Sequence, residues 1–221
     1  MNMRKVKVQQ KILIANEEFA SRNRTFLAER KIPCLNVISS PGSGKTTILA
    51  KTIQELKGKV KIGVIEGDIQ TDIDAQRIRT TGAPAFQINT NGACHLSAAQ
   101  ISAAFHKLPV DSLDLIFIEN VGNLVCPSTF DLGETAKIAV LSVPEGDDKP
   151  AKYPAIFARA AAVLINKIDL LALADFDIEK AKADILKLNK DVMIFLLSAK
   201  TGDGLQQWCA WLYEMVRNKT R

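Results

Sequence analysis

Ser39-Ser40-Pro41-Gly42-Ser43-Gly44-Lys45-Thr46-Thr47 decides the fold because of what stands on either side of it. Before it runs Cys34-Leu35-Asn36-Val37-Ile38, a short apolar stretch fit for a buried parallel strand; after it the pattern turns helical over 48–56. Strand, glycine-bearing turn and helix start, in that order, build a concave anion site. Successive backbone N–H groups converge there on the positive end of a helix. Gly42 and Gly44 permit the tight path, Lys45 reaches the β- and γ-phosphates of a nucleotide, and the Thr46 hydroxyl is placed to ligate Mg²⁺. Ser43 and Thr47 complete the expected phosphate-binding set. The strict consensus asks for glycine at position 39, where this chain has Ser39; the stretch 41–44 keeps the loop permissive.

Outward from this loop the alternation continues. Strand-like runs fall at 61–65, 85–88, 115–118, 138–143, 162–165 and 192–197, with helical patterns at 73–80, 98–107, 178–188 and 205–216. Ahead of them, Ile12, Ile14, Ala15, Phe19, Ala20, Phe26 and Leu27 recur at helical spacing, which predicts a helix over 8–31 ended by Pro33. Strand and helix alternating along a chain predict an α/β fold, a mainly parallel sheet flanked by helices. No linker, repeat or low-complexity tract interrupts it, so residues 1–221 read as one domain.

Composition narrows the function. The formal net charge is +5, but the excess sits in Arg4-Lys5-Val6-Lys7 and in Arg217-Asn218-Lys219-Thr220-Arg221, a solubilising distribution rather than a binding face. With no basic-aromatic interleaving, no nucleic-acid partner is expected. No signal peptide and no apolar run long enough to span a membrane are seen. The four unevenly spaced cysteines do not form a secreted disulfide framework, so the cytoplasm is the expected compartment.

Two acidic strand ends face the phosphate loop in this reading. The run Leu115-Ile116-Phe117-Ile118 ends in Glu119, and the strand ending at Ile65 is followed by Glu66 and Asp68. Ligands of parallel sheets lie at these carboxyl ends, so Glu119 and Asp68 join Thr46 as the expected Mg²⁺ set. The base is chosen elsewhere. Ala162-Val163-Leu164-Ile165 runs into Asn166-Lys167-Ile168-Asp169, and a carboxylate at 169 accepts both the N1–H and the 2-amino group of guanine. Adenine offers neither donor and would leave Asp169 desolvated and unpaired, a cost of roughly 1–3 kcal/mol. Ser198-Ala199-Lys200, after another apolar strand, reads as the loop closing over the base. GTP is therefore the expected substrate. No glutamine stands where it would position a water, so slow intrinsic turnover is expected.

Only two histidines occur, and one follows a cysteine: Cys94-His95. Cys126 comes shortly after the Glu119 strand. Two thiols and an imidazole suit Zn²⁺ or Ni²⁺ but do not close a four-coordinate site without solvent or a symmetric second copy. Spacing alone does not separate such a site from coincidence. Cys34 and Cys209 carry no motif and read as core residues; His106 reads as a surface residue.

Taken together, Ser40-Pro41-Gly42-Ser43-Gly44-Lys45-Thr46, Glu66-Gly67-Asp68, Gln87-Ile88-Asn89-Thr90 with Cys94-His95-Leu96, the stretch 118–127, Phe130-Asp131-Leu132-Gly133, Glu145-Gly146-Asp147-Asp148-Lys149-Pro150 with Lys152-Tyr153-Pro154, and 166–169 carry a resemblance over nearly the whole chain. It resembles the hydrogenase nickel-incorporation GTPases of the HypB family, relatives of the urease accessory GTPase UreG. A urease-type chain is expected to carry Cys-Pro-His, where this one has Cys126-Pro127-Ser128.

The resemblance implies a SIMIBI-type G domain and a GTP-hydrolysing metallochaperone that helps deliver nickel to [NiFe]-hydrogenase. It implies a GTP-promoted homodimer, a hydrogenase-maturation partner and the hydrogenase large subunit as recipient. It also implies Cys94, His95 and Cys126 as a Ni²⁺ or Zn²⁺ site near the dimer interface. Asp74, within Asp74-Ala75-Gln76-Arg77, is implied as a switch carboxylate beside the γ-phosphate, joining Lys45, Asp68 and Glu119 as catalytic residues. A lysine of the 148–154 stretch, Lys149 or Lys152, is implied to support dimerisation. An accessory GTPase for another nickel enzyme such as urease, or a regulatory GTPase with an incidental Cys-His pair, is the alternative. Ser97 departs from the family's acidic residue and removes a carboxylate from beside the Cys-His pair; without a histidine-rich tract, nickel storage is not expected.

Overall fold

Each apolar run bounded by turn residues becomes a strand, and every pairing is parallel. The computed structural model describes the backbone of residues 3–68 and 72–219, with side chains for 13–68 and 72–218. The side chains of Arg4-Lys5-Val6-Lys7, Ile12 and Lys219-Thr220-Arg221 lie outside the described residues. The strands are β1 Cys34–Ser39, β2 Ile62–Asp68, β3 Ala85–Asn89, β4 Leu115–Glu119, β5 Ala136–Ser142, β6 Ala160–Asn166 and β7 Met193–Leu196. They form one seven-stranded sheet in the order β3-β2-β4-β1-β5-β6-β7.

The longer helices are α1 Met3–Glu29, α2 Lys45–Glu55, α3 Ile73–Arg79, α4 Ala98–Phe105, α8 Ile178–Leu188 and α9 Leu205–Lys219. Three four-residue helices join them: α5 Cys126–Thr129, α6 Lys149–Lys152 and α7 Pro154–Phe157. Each carries proline in its first turn, where the missing N–H has no intrahelical partner to lose. At four residues they are too short to print a periodicity, which is why the sequence pattern passes over them. Strand β2 runs on through Asp68, beyond the expected 61–65, because Glu66, Gly67 and Asp68 keep register with Gln87, Ile88 and Asn89. Ladder pairing overrides their polarity.

Alternate strand residues face opposite layers. Leu35 and Val37 of β1 enter a cluster with Ile48 and Leu49 of α2 and Trp208 and Leu212 of α9. Trp208 is fully buried, and its indole N–H donates to Thr52 Oγ1 at 3.0 Å. On the other face Cys34 packs with Leu27 of α1 and Ile101 and Phe105 of α4. Further along that face, Ile38 packs with Ala139, Val163 and Ile185 of α8. Cys34 and Cys209 are core residues as expected, and burial pushes the Cys209 thiol up to about 11. His106 is exposed, its ring edge-on to Phe26. No helix among the described residues is long and apolar enough to cross a membrane.

Helix α1 does more than cover the sheet. Asn23, 1% exposed, donates through Nδ2 to Ala98 O (2.8 Å) and to Leu132 O (2.9 Å). Asn16 donates through Nδ2 to Asp131 O and accepts at Oδ1 from Ala98 N. The helix thereby ties the start of α4 to the loop at 131–132.

Candidate functional site

The carboxyl ends of β1, β2 and β4 open into a cavity of ≈ 470 Å³ whose lining includes Gly42, Gly44, Lys45, Thr46, Thr47, Glu66, Asp68, Asp74, Arg77 and Glu119. A cavity of ≈ 500 Å³ at the opposite end of the strands, beside Lys57, Pro84 and Leu113, has no carboxylate in its lining.

The phosphate loop follows from its glycines. Gly44 sits at φ 98 as the residue before α2, and a Cβ there would meet Asn166 Nδ2 at 2.6 Å, so only glycine fits both the backbone and the space. Lys45 is 8% exposed and donates from Nζ to Ser39 Oγ at 2.9 Å, and Ser43 Oγ donates to the same hydroxyl at 2.5 Å. Ser39, the departure from consensus, thus holds the lysine ammonium inside the loop.

Opposite the loop stand two facing carboxylates. Register pairs Glu66 with Glu119 across β2 and β4, and both are buried. Thr46 Oγ1 donates to Glu119 Oε1 at 2.8 Å, whereas Glu119 Oε2 and Glu66 Oε1 are buried without a hydrogen-bond partner. Burial first, then the charge of Glu119, holds the Glu66 carboxyl well above the ordinary carboxylate range. Burial also raises Glu119, against the pull of Lys45. Buried acceptors without donors, beside a hydroxyl and Asp68, are the donor set a hard divalent cation takes. The residues present therefore fit Mg²⁺. Asp74 lies in the first turn of α3, half-buried at the cavity rim, while residues 69–71 leading to it lie outside the described residues.

The second motif closes on the first. Asn166 Nδ2 donates to Ser43 O (2.8 Å), and its Oδ1 accepts from Ala199 N (3.0 Å). Lys167, at φ 64, donates from Nζ to Gly42 O at 2.6 Å. Ser198 Oγ donates to Asp169 Oδ1 at 2.6 Å, which orients that carboxylate; Lys200 is exposed. The residues at 42–47, 166–169 and 198–199 read from sequence as phosphate- and base-binding are thus brought to one edge.

The sulfur and imidazole groups also converge. The ligating atoms of Cys94, His95 and Cys126 all lie within 4.8 Å of one another, with Cys94 Sγ 3.6 Å from His95 Nδ1. A tight turn with two consecutive positive-φ residues, Asn91 (φ 50) and Gly92 (φ 90), delivers Cys94. Cys126 opens α5. A hydrogen bond between the two thiols, then burial, raises the Cys94 thiol, and burial lowers the His95 imidazole. That shift favours the neutral imidazole, the form a metal ligand requires. Its ring lies against Phe130, centroids 3.8 Å apart. Ser97, read as a lost acidic residue, caps α4 in a capping box with Gln100. Lys152 pairs with Asp148, and Lys149 lies over the Tyr153 ring at 5.3 Å.

Two site features escaped the sequence reading. Glu66 was seen only as an acidic tip, since its partner Glu119 becomes visible only through strand register. Gly122 packs on the phosphate loop so closely that a Cβ would lie 3.0 Å from Pro41 Cγ. The segment leading to Cys126 therefore passes directly over the nucleotide cavity.

A parallel sheet with this loop after its central strand, Asn-Lys-x-Asp beside it and a Cys₂His cluster next door defines a P-loop nucleotide-binding protein with a candidate metal site. The chain belongs to the CobW/HypB/UreG family, on its HypB branch: the family's nucleotide-binding-domain profile matches residues 33–195. The hydrogenase maturation factor HypB of Escherichia coli K12 is 53% identical over 209 residues, covering 95% of this chain and 72% of that relative. The crystal structure of HypB from Helicobacter pylori in complex with nickel superposes with TM-score 0.88 at 42% identity, over 92% of this chain and 96% of that one. Hydrogenase maturation factor HypB from Archaeoglobus fulgidus follows at TM-score 0.86 and 39% identity, over 92% and 100%.

Proposed function

We propose that this protein is a cytoplasmic GTPase that carries nickel to a hydrogenase during its maturation, exchanging the ion as its nucleotide state changes. The observation that carries the reading is the placement of Cys94, His95 and Cys126, whose ligand atoms lie within 4.8 Å of one another, beside a segment that runs over the nucleotide cavity. The HypB relatives supply the cargo and the recipient class.

The backbone N–H groups of 42–47 cradle the β- and γ-phosphates, and Lys45 leaves Ser39 to neutralise the charge that develops on them. Thr46, Asp68 and Glu119 would hold Mg²⁺, which when bound offsets phosphate charge in the transition state. Asp74 orients the attacking water; with a carboxylate at the rim rather than a glutamine, turnover is slow. Asp169, aimed by Ser198, selects guanine. At the candidate metal site, the thiols of Cys94 and Cys126 give up their protons to bind the ion, and His95 contributes a neutral nitrogen. Ni²⁺ is the cargo; the same set takes Zn²⁺. A second copy of the chain, brought in by GTP and supported by Lys149 or Lys152, completes the coordination. A maturation partner and the hydrogenase large subunit receive the ion.

Equilibrium dialysis of Ni²⁺ against the Mg²⁺–GDP and Mg²⁺–GTP-analogue forms tests this. Affinity is expected to differ between the two by about 5–150-fold, the range of ordinary coupling energies. Cys126→Ser should abolish tight binding in both. Equal affinity in the two nucleotide states sinks the delivery cycle.

A further inference from the structure

Asn36 stands in the middle of β1 with 0% exposure, on the sheet face where Cys34 and Ile38 belong to two different apolar clusters. A buried amide amid apolar neighbours persists only when its polar atoms are paired. Its Nδ2 donates to Glu134 Oε1 (3.2 Å), and its Oδ1 accepts from Asn120 Nδ2 (3.1 Å). Asn120, 1% exposed, follows Glu119, and its Oδ1 accepts from two backbone donors: Leu96 N (3.3 Å) and Val121 N (3.0 Å). At the other end Lys137 pairs with Glu134 and also donates to Phe130 O at 2.9 Å. The network thus leaves His95 through the next backbone N–H and returns at Phe130, the ring packed on His95. On the way it passes beside Glu119.

The chain of bonds has one consistent polarity. Glu134 faces donors on both oxygens, the Lys137 ammonium and the Leu132 N–H, so it turns the Asn36 amino group toward itself and the Asn36 oxygen toward Asn120. Asn120 must then present its amino group to Asn36 and its oxygen to the two backbone N–H groups. Reversing either amide sets donor against donor or acceptor against acceptor.

We propose that the Asn36–Asn120 pair, oriented by Glu134, is a positioning device that transmits nucleotide state to the Cys94–His95 loop; the proposal rests on the nickel-delivery reading above. Asn120, Val121 and Gly122 line the nucleotide cavity, and Gly122 bears on Pro41. A shift of this segment as the γ-phosphate comes and goes moves one oxygen, Asn120 Oδ1, that also holds the backbone next to His95. Asn36 is absent from the lining of the cavity and from the metal cluster. Its effect on metal is therefore exerted through Asn120.

The test is Asn36→Leu, which keeps bulk but removes the amide, with the milder Asn36→Ser beside it. Ni²⁺ affinity is measured by dialysis in the Mg²⁺–GDP and Mg²⁺–GTP-analogue states of the full chain, with nucleotide affinity measured in parallel. In the folded variants nucleotide affinity should stay within about twofold, while the nickel-affinity ratio between states falls toward unity by about fivefold or more, at least the smallest ordinary coupling. A residue that only supported the fold would shift both states alike and leave the ratio. A ratio equal to wild type in either folded variant overturns the inference alone. A wild type with no ratio to lose overturns the delivery reading, and this inference with it.

Discussion

Asn166 and Lys167 each reach back more than a hundred positions, to Ser43 O and Gly42 O, so the base site and phosphate loop are one constellation at the residue scale. Asp169 sits at its far end with Ser198 fixing its orientation. Asp169→Asn replaces one of two acceptors with a donor, which suits the C2 oxygen of xanthine and opposes the 2-amino group of guanine. GTP affinity is expected to fall by roughly 10–100-fold, with xanthosine triphosphate gaining, in a fluorescent-nucleotide competition assay. Undiminished GTP affinity would remove Asp169 from base selection. Residues of this kind were readable in the sequence because their chemistry is local: Lys45, Thr46 and Asp169 occur at spacings that carry meaning alone. Glu66, Asn120 and Glu134 were not, because each acquires its role from a partner on another strand or loop. Asn36 did leave a trace, one amide in an otherwise apolar five-residue run.

At the scale of elements, the strands and long helices followed from period and from punctuation by glycine and proline; the observed bounds differ at polar strand ends and at polar helix ends, where α1 runs Met3–Glu29 rather than 8–31, α2 starts at Lys45 rather than 48 and α9 runs to Lys219 rather than 216. The parallel ladder explains that difference at Glu66-Gly67-Asp68, where neighbours supply the pairing. The role of α1 was the less readable part. Its apolar stripe announced a packed helix, but nothing in that stripe announced that Asn23 would hold Ala98 O and Leu132 O together. Asn23→Leu strips the donor from two carbonyls and should cost about 1–3 kcal/mol in urea unfolding. Amide hydrogen exchange should rise at 96–98 and 131–133 in that variant. Unchanged stability would mean that other donors replace the asparagine.

For the whole molecule, the two sites lie on one edge of one sheet, and the cluster supplies two thiols and one imidazole from a single chain. Light scattering with Mg²⁺, a GTP analogue and Ni²⁺ should show the apparent mass double, and GDP should reverse it; a monomer under every condition would exclude a shared site. The family and its fold were readable from the combination of motifs, whereas convergence of Cys94, His95 and Cys126 needed the chain folded. One consequence of the clamp between Asn166, Lys167 and the phosphate loop concerns entropy. Asn166 and Lys167 brace the backbone of that half of the pocket, so a nucleotide base and its inner phosphates would dock there while freezing few new degrees of freedom. GDP and GTP both collect that benefit equally, and it cannot distinguish them. Whatever free energy separates the two states must then arise where a γ-phosphate would sit, between Lys45 and the opposite wall of Glu66, Asp68, Asp74 and Glu119, whose last member begins the run to Cys126.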